Sequence, residues 1–231
     1  MQPLNLPKLV NQPGFMLACD TAYFNRWAKY LFFSIKQHAS WAHVHFHVFE
    51  PTTSDLNWLD RAQCSYSFED TPEQYCQTHQ DRVVYWCAAR YVRPAEIYND
   101  STPVINLDVD SVMIKDLSID QFYHDLKYSW VPVAPKRETR SLCSALGLGL
   151  DSGRYAVRQV LLDVYKNSRL TWALDQRLCD QLLDSNQLQP MDLRYTDYKM
   201  KPTSYIWTGK GNRVEKSGFQ TALRRYDHLV N

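Results

Sequence analysis

The sequence has no Cys-x-x-Cys pair and no clustering among its six cysteines, Cys19, Cys64, Cys76, Cys87, Cys143 and Cys179. That excludes a zinc knuckle and a disulfide-stapled scaffold. Most of the six stand beside apolar residues, as free buried cysteines do, and a reducing compartment suits them. Net charge is also nearly absent: 26 Lys and Arg against 25 Asp and Glu leave +1. No broad attraction to nucleic acid or to an anionic membrane follows, so any phosphate must be recognised locally. No stretch approaches the ~20 apolar residues that cross a bilayer, and Met1–Lys8 lacks the basic start and apolar run of a signal peptide. The expectation is a cytoplasmic chain with no membrane span. No repeat, low-complexity tract or linker divides the 231 residues, a length that suits one α/β domain with a full core.

What is present is aromatic and alternating. Fifteen Tyr and seven Trp can stack flat rings such as bases or sugars, and are equally ordinary core material. Gly14–Cys19 is a short apolar run ending at Asp20-Thr21, the pattern of a buried strand that delivers a loop. Tyr23, Trp27, Tyr30, Leu31 and Ser34 then recur at helical spacing. His43–Phe49 alternates strictly, so His43, His45 and His47 share one strand face. Over about 13 Å they are too spread for one metal ion, and the spacing predicts a partly exposed sheet face instead. A helix is expected over Arg82–Ile97, with Pro94 marking a break or a second start. Pro103–Leu107 reads as a buried strand, Ser129–Ala134 and Leu146–Leu150 as further strands, and residues 135–140 as a charged turn. Helices are expected over residues 153–167 and Trp172–Ser185. A strand and loop follow over Met191–Lys201, then Tyr205–Trp207 and a basic helical tail. Gly147 and Gly149 let a neighbouring backbone or a ligand come close, yet lack the third glycine and strand-to-helix context of a dinucleotide fingerprint. Strands alternating with helices predict an α/β sandwich around a mixed sheet.

The segment richest in chemistry follows the buried strand. Asp108 and Asp110, separated by Val109, place two carboxylates on one side of a strand end. Two hard oxygen ligands so close can hold one Mn²⁺ or Mg²⁺, whose other positions go to water and substrate phosphates. A bare Asp-x-Asp triplet is weak evidence, since most are solvated loop carboxylates. The apolar strand before it changes the argument, because paired like charges at the end of a core strand are costly unless something neutralises them.

Val104–Leu117 resembles the Asp-x-Asp strand of GT-A glycosyltransferases, family 8-like, and the chain is similar to a short, minimal member of that group. Other segments resemble the family's pieces in order. Met16–Asp20 with Tyr23 is similar to its first strand and loop, which holds the nucleoside through backbone groups, here those of Ala18 and Cys19, an acidic side chain and an aromatic ring. Tyr85–Arg90 is similar to the helix whose basic residue reaches the donor. Trp172–Gln176 resembles the Trp-x-x-Asp-Gln helix start near the donor sugar and acceptor, and Ile206–Gly211 the late glycine-lysine loop that completes the metal and phosphate site. The resemblance spans residues 14–216.

It implies a single GT-A type Rossmann-like α/β/α sandwich over 1–231 with a mixed, mostly parallel sheet, its nucleotide part about 14–117 and its sugar and acceptor part about 118–216. It further implies a metal-dependent hexosyltransferase using a nucleotide diphosphate sugar, a UDP-sugar, and a carbohydrate or other hydroxyl acceptor, with a slight lean toward retention of configuration. Asp108 and Asp110 become metal ligands and Lys210 and Arg90 diphosphate contacts. Asp20 and Tyr23 become nucleoside contacts, and Asp175 and Gln176 the sugar-facing pair. Bland readings stand beside these roles. Asp20 suits a helix N-cap, Arg90 can pair with Glu96 or face solvent, Asp175 suits the first turn of a helix, and Lys210 can be a turn lysine. Thr208 stands where many relatives carry a metal-binding histidine, which keeps open an alternative: a non-catalytic nucleotide-sugar or glycan binding protein on the same scaffold.

Overall fold

A computed structural model describes residues 10–75, 77–133, 141, 142, 144–151, 154, 159 and 171–230. The turn expected over 135–140 and nearly all of the helix expected over 153–167 lie outside them, as do Cys76 and Cys143.

Seven strands form one sheet in the order β3-β2-β1-β4-β7-β6-β8. They are β1 (Gly14–Asp20), β2 (His43–Phe49), β3 (Ser65–Glu69), β4 (Val104–Leu107), β6 (Trp130–Pro132), β7 (Ala145–Leu148) and β8 (Gln189–Met191), while β5 (Ser111–Met113) pairs with β9 (Ile206–Thr208) in a separate two-stranded ribbon. Pairing is parallel from β3 through β2 and β1 to β4 and between β6 and β8, and antiparallel where β7 meets β4 and β6. The sheet is therefore mixed and mostly parallel, as expected.

Both of its faces are buried, and the period-two alternation of the strands explains how. Phe15, Leu17, Val44, Phe46, Val48, Ile105 and Leu107 enter one core with Phe24, Trp27, Leu31, Phe32 and Ile35 of the helical run Thr21–His38. Met16, Ala18, Phe49 and Val104 enter a second core with Tyr85, Ala88, Val92 and Ala95 of the helix His79–Ile97 and with Leu178 and Leu182 of the helix Leu174–Asp184. Helices on either side of a central sheet make a three-layer α/β/α sandwich.

Two expectations change. His45 and His47 are buried, not exposed. The reason lies on the neighbouring strand: the β2–β3 register sets His45 opposite Ser65 and His47 opposite Ser67. His45 Nδ1 lies 2.7 Å from the Ser65 hydroxyl and Nε2 2.9 Å from that of Ser67, while His47 reaches Ser67 (2.8 Å) and Glu69 (3.2 Å). Polar rings can be buried when such partners satisfy them. Pro94 does not interrupt its helix, which runs 19 residues from His79 to Ile97. The ring removes one hydrogen bond, but Tyr91, Val92, Ala95 and Ile97 stay buried around it and hold the segment in place.

The glycines of the Ala145–Leu148 strand and its end meet neighbours rather than a ligand. A side chain on Gly147 would strike the Trp130 indole, and one on Gly149 the backbone of Tyr128. Among the described residues no helix is long and apolar enough to cross a membrane.

Candidate active site

Parallel strands deliver their carboxyl ends to one edge of the sheet, and the strand order reverses there between β1 and β4. Ligands of open α/β sheets bind at such a point. Asp20 ends β1, Glu50 follows β2, and Asp108 follows β4. A cleft of about 1010 Å³ opens at this edge. Its walls include Ala18, Cys19, Asp20, Tyr23, Arg90, Asp108, Val109, Asp110, Asp175, Gln176 and Lys210, the residues given donor, sugar or metal roles from the sequence; Thr208 is not among them.

Each side chain has a local cause for its position. Asp20 caps the first helical turn, accepting from the Tyr23 N–H at 3.0 Å, so its cap role is met whatever else it binds. The π-helical turn Phe24–Ala28 begins just beyond Tyr23. Asp108 is held by its own N–H donating to the Ser144 carbonyl (2.8 Å), and the Asp110 carbonyl accepts from the Gly209 N–H (2.8 Å). The second bond continues the β5–β9 ribbon, in which Ser111 faces Thr208, and so draws the loop carrying Lys210 over the two aspartates.

The electrostatics centre on three carboxylates and two cations. Arg90 forms an ion pair with Asp108 and a second with Asp175 at 3.5 Å, and Lys210 Nζ lies 3.9 Å from the other Asp108 oxygen. Glu96, the bland partner for Arg90, is occupied by Arg93, which also binds Glu69. Asp108 and Asp110 are 6% and 8% exposed. Burial pushes the Asp110 carboxyl above the usual carboxylate range, against the opposing pull of Lys210 and Arg90. Burial chiefly, then Asp110 and Asp20, raise the Tyr23 phenol. The Cys87 thiol in the cleft wall is also pushed up by burial, a poor setting for a thiolate nucleophile.

Asp175 opens the helix Leu174–Asp184, its Oδ1 accepting from the Gln176 N–H at 2.9 Å. The Gln176 side-chain amide donates to the Ser141 carbonyl at 3.0 Å, which fixes its orientation. The residue before the helix, Ala173, has φ 61°, a left-handed conformation that costs a non-glycine residue about 1 kcal/mol.

Among the described residues no three His, Cys, Asp or Glu side chains gather as a metal cluster. Thr208 supplies no replacement ligand. Its side chain is fully buried, in contact with the Ser111 hydroxyl (3.0 Å) and the Thr196 hydroxyl (3.2 Å), and it does not line the cleft. Thr196 continues to Ser144, which accepts from the Tyr198 phenol at 2.7 Å. Thr208 is thus one link of a hydroxyl chain beneath the site.

Several cleft residues were not foreseen, among them Glu50, His79, Trp86, Tyr198 and Arg213. Glu50 had a usable signal, since it directly follows a parallel strand at the ligand-binding edge. Tyr198 and Arg213 had none, because long-range packing brings them there.

The switch-point cleft, the acidic pair at the end of β4 and the sheet order fit a GT-A type α/β/α fold. No family model and no curated protein matches the chain. Solved structures do. The apo form of the glycosyltransferase GlyE from Streptococcus pneumoniae TIGR4 is similar at 15% identity and a TM-score of 0.58, over 94% of this chain and 63% of that one. An active-site mutant of LgtC is similar at 12% identity and 0.62, over 94% of this chain and 96% of that one. The galactosyltransferase LgtC in complex with donor and acceptor sugar analogs follows at 13% and 0.59, over 94% and 95%. The chain spans under two thirds of GlyE and nearly all of LgtC. At such identities the likeness establishes the fold.

Proposed function

We propose that this protein is a glycosyltransferase that moves a hexose from a UDP-sugar to an acceptor hydroxyl. One observation carries the reading: in a single cleft, two buried aspartates, two cations and an Asp-Gln pair stand where a strand-order reversal places ligands. The resemblance to a structure solved with donor and acceptor sugar analogs supports it.

The residues present fit a divalent ion. Asp110 is a buried carboxylate whose charge is only partly offset, and such a group favours a bound cation. Asp108 and Asp110 would hold Mn²⁺ or Mg²⁺, which supplies Lewis-acid neutralisation of the departing diphosphate. Lys210 adds a point charge beside it, and Gly211, with open space around its Cα, lets phosphate oxygens approach the backbone. Arg90 spans Asp108 and Asp175, so its guanidinium lies between the phosphate end and the sugar end of the cleft. Asp20, Tyr23 and the backbone of Ala18 and Cys19 frame the nucleoside. Asp175 and Gln176 face the hexose, where a carboxylate and an amide oxygen stabilise a cationic sugar carbon. Retention of configuration is the outcome we assign, to be read from the product anomer.

Calorimetric titration of UDP, with and without Mn²⁺, into wild type and Asp110→Asn tests the site. Wild type should gain at least tenfold in UDP affinity from Mn²⁺, and Asp110→Asn should lose that gain while keeping the metal-free affinity. Equal binding in all four cases sinks the proposal. Release of UDP from a UDP-hexose separates an enzyme from a binding module, which would bind the donor and never release UDP.

A further inference from the structure

Of the seven tryptophans, all within the described residues, six are buried or half-buried, and Trp172 is 63% exposed. Among the described residues it is the most exposed of the large apolar side chains, and it lines the cleft. An indole left in water at the mouth of a site gives up the burial that the rest of its type obtains. The surrounding backbone is built to keep it there. Arg177 donates to the Trp172 carbonyl at 2.9 Å and also reaches the Thr171 hydroxyl, the Leu174 N–H bonds the Thr171 carbonyl at 3.1 Å, and Ala173 takes the left-handed turn that directs the chain into the next helix. The ring is therefore carried on a fixed turn.

Among the described lining residues the other exposed Phe, Tyr or Trp ring is Tyr23, at 47%. The Tyr23 N–H donates to the Asp20 carboxylate at 3.0 Å, so the ring stands at the Asp20 end of the cleft. Trp172 lies three residues before Asp175, which Arg90 ties to Asp108, and on the reading above Asp175 faces the transferred sugar. Beyond that point only the acceptor remains to be held. An indole face is electron-rich, and the axial C–H hydrogens of a pyranose are weakly positive, so the two stack while the sugar hydroxyls stay in water.

We infer that Trp172 is an acceptor platform that stacks a pyranose ring, and that the acceptor is a carbohydrate rather than a protein or lipid hydroxyl. This rests on the UDP-sugar reading above, and the test keeps the two apart. Acrylamide quenching of tryptophan fluorescence should decrease saturably when the UDP-loaded protein meets the methyl glycosides of glucose, galactose or N-acetylglucosamine at tens of millimolar. That protection should vanish in Trp172→Ala and persist in Trp172→Phe only as weakened glycoside affinity, read by calorimetry. UDP affinity should stay within twofold of wild type in both variants, and glycoside affinity should fall about tenfold in the alanine variant. Because the side chain is exposed, neither change threatens the fold, and circular dichroism checks this.

Protection by none of the glycosides, or undiminished protection in Trp172→Ala, overturns the platform while UDP binding by wild type leaves the donor reading standing. A tenfold loss of UDP affinity in Trp172→Ala reassigns the ring to the nucleoside and also overturns it. Wild type that neither binds UDP nor releases it from any UDP-hexose overturns the donor reading, and the platform with it.

Discussion

Arg90 is bound to two carboxylates from different elements, and Lys210 shares one of them. Charges so arranged are costly to bury alone and stable only as a set. Asp108 and Asp110 could be found in the sequence because polar residues at the end of an apolar strand have no structural excuse. Arg90 could be found as a basic residue on the preceding helix, but its second partner, Asp175, is 85 positions away and no local pattern connects them. Thr208 shows the limit of residue-by-residue correspondence: position along the chain suggests a ligand, while the side chain is turned into the hydroxyl chain below. Replacing it by valine leaves the hydroxyls of Ser111 and Thr196 without that partner, and should cost about 1–3 kcal/mol in urea denaturation. UDP affinity with Mn²⁺ should remain within twofold. A tenfold fall in Mn²⁺ affinity without loss of stability would instead identify Thr208 as a ligand.

At the scale of elements, the helix His79–Ile97 links the second core to the site, since it carries Tyr85 and Ala88 inward and Arg90 to the cleft. It starts at His79, three residues before the Arg82 at which the sequence pattern begins. The capping box explains why: the Thr78 hydroxyl accepts from the Asp81 N–H (3.1 Å) and the Asp81 carboxylate accepts from the Thr78 N–H (2.9 Å), so a polar turn joins the helix without any apolar residue to announce it. Thr78→Ala should lower stability by about 1 kcal/mol and the melting temperature by about 2–4 °C. Arg90 lies three turns further on, so UDP affinity should not change; a loss of affinity would mean that fraying travels to the site. Strands with strict alternation were legible for the opposite reason, each apolar position being matched to a core. What alternation in β2 alone left out was the environment of its histidine face, which belongs to β3. Ser65, Ser67 and Glu69 repeat with the same period, but only the pairing register joins the two sets.

Across the whole molecule, that joined face predicts how the fold responds to acid. Burial lowers His45 to about 3, and it lowers His43 and His47 as well. In the unfolded chain each histidine returns to its ordinary value of about 6.5. Above that pH the rings are neutral in both states and contribute no pH dependence. Below it the unfolded chain takes up a proton that folded His45 refuses, so stability falls as the pH drops from 6.5 toward 3, by about 1.4 kcal/mol for each pH unit from this residue once well below 6.5. Glu69 acts in the same direction. Its carboxyl is held below the usual range by His47 and Arg93 despite opposing burial, and the stability it confers above its unfolded value is lost as the pH falls through its folded one. Urea midpoints at pH 7.5, 6.0, 5.0 and 4.5 should therefore decline steadily, with the steeper part below pH 6. His45→Asn retains a polar side chain near the two serines but cannot bind the proton, and it should flatten that decline by about one proton's worth even if it lowers stability at pH 7.5. An unchanged slope in the variant would show that His45 titrates alike in both states, and would remove the closed polar face between β2 and β3 as the source of acid sensitivity.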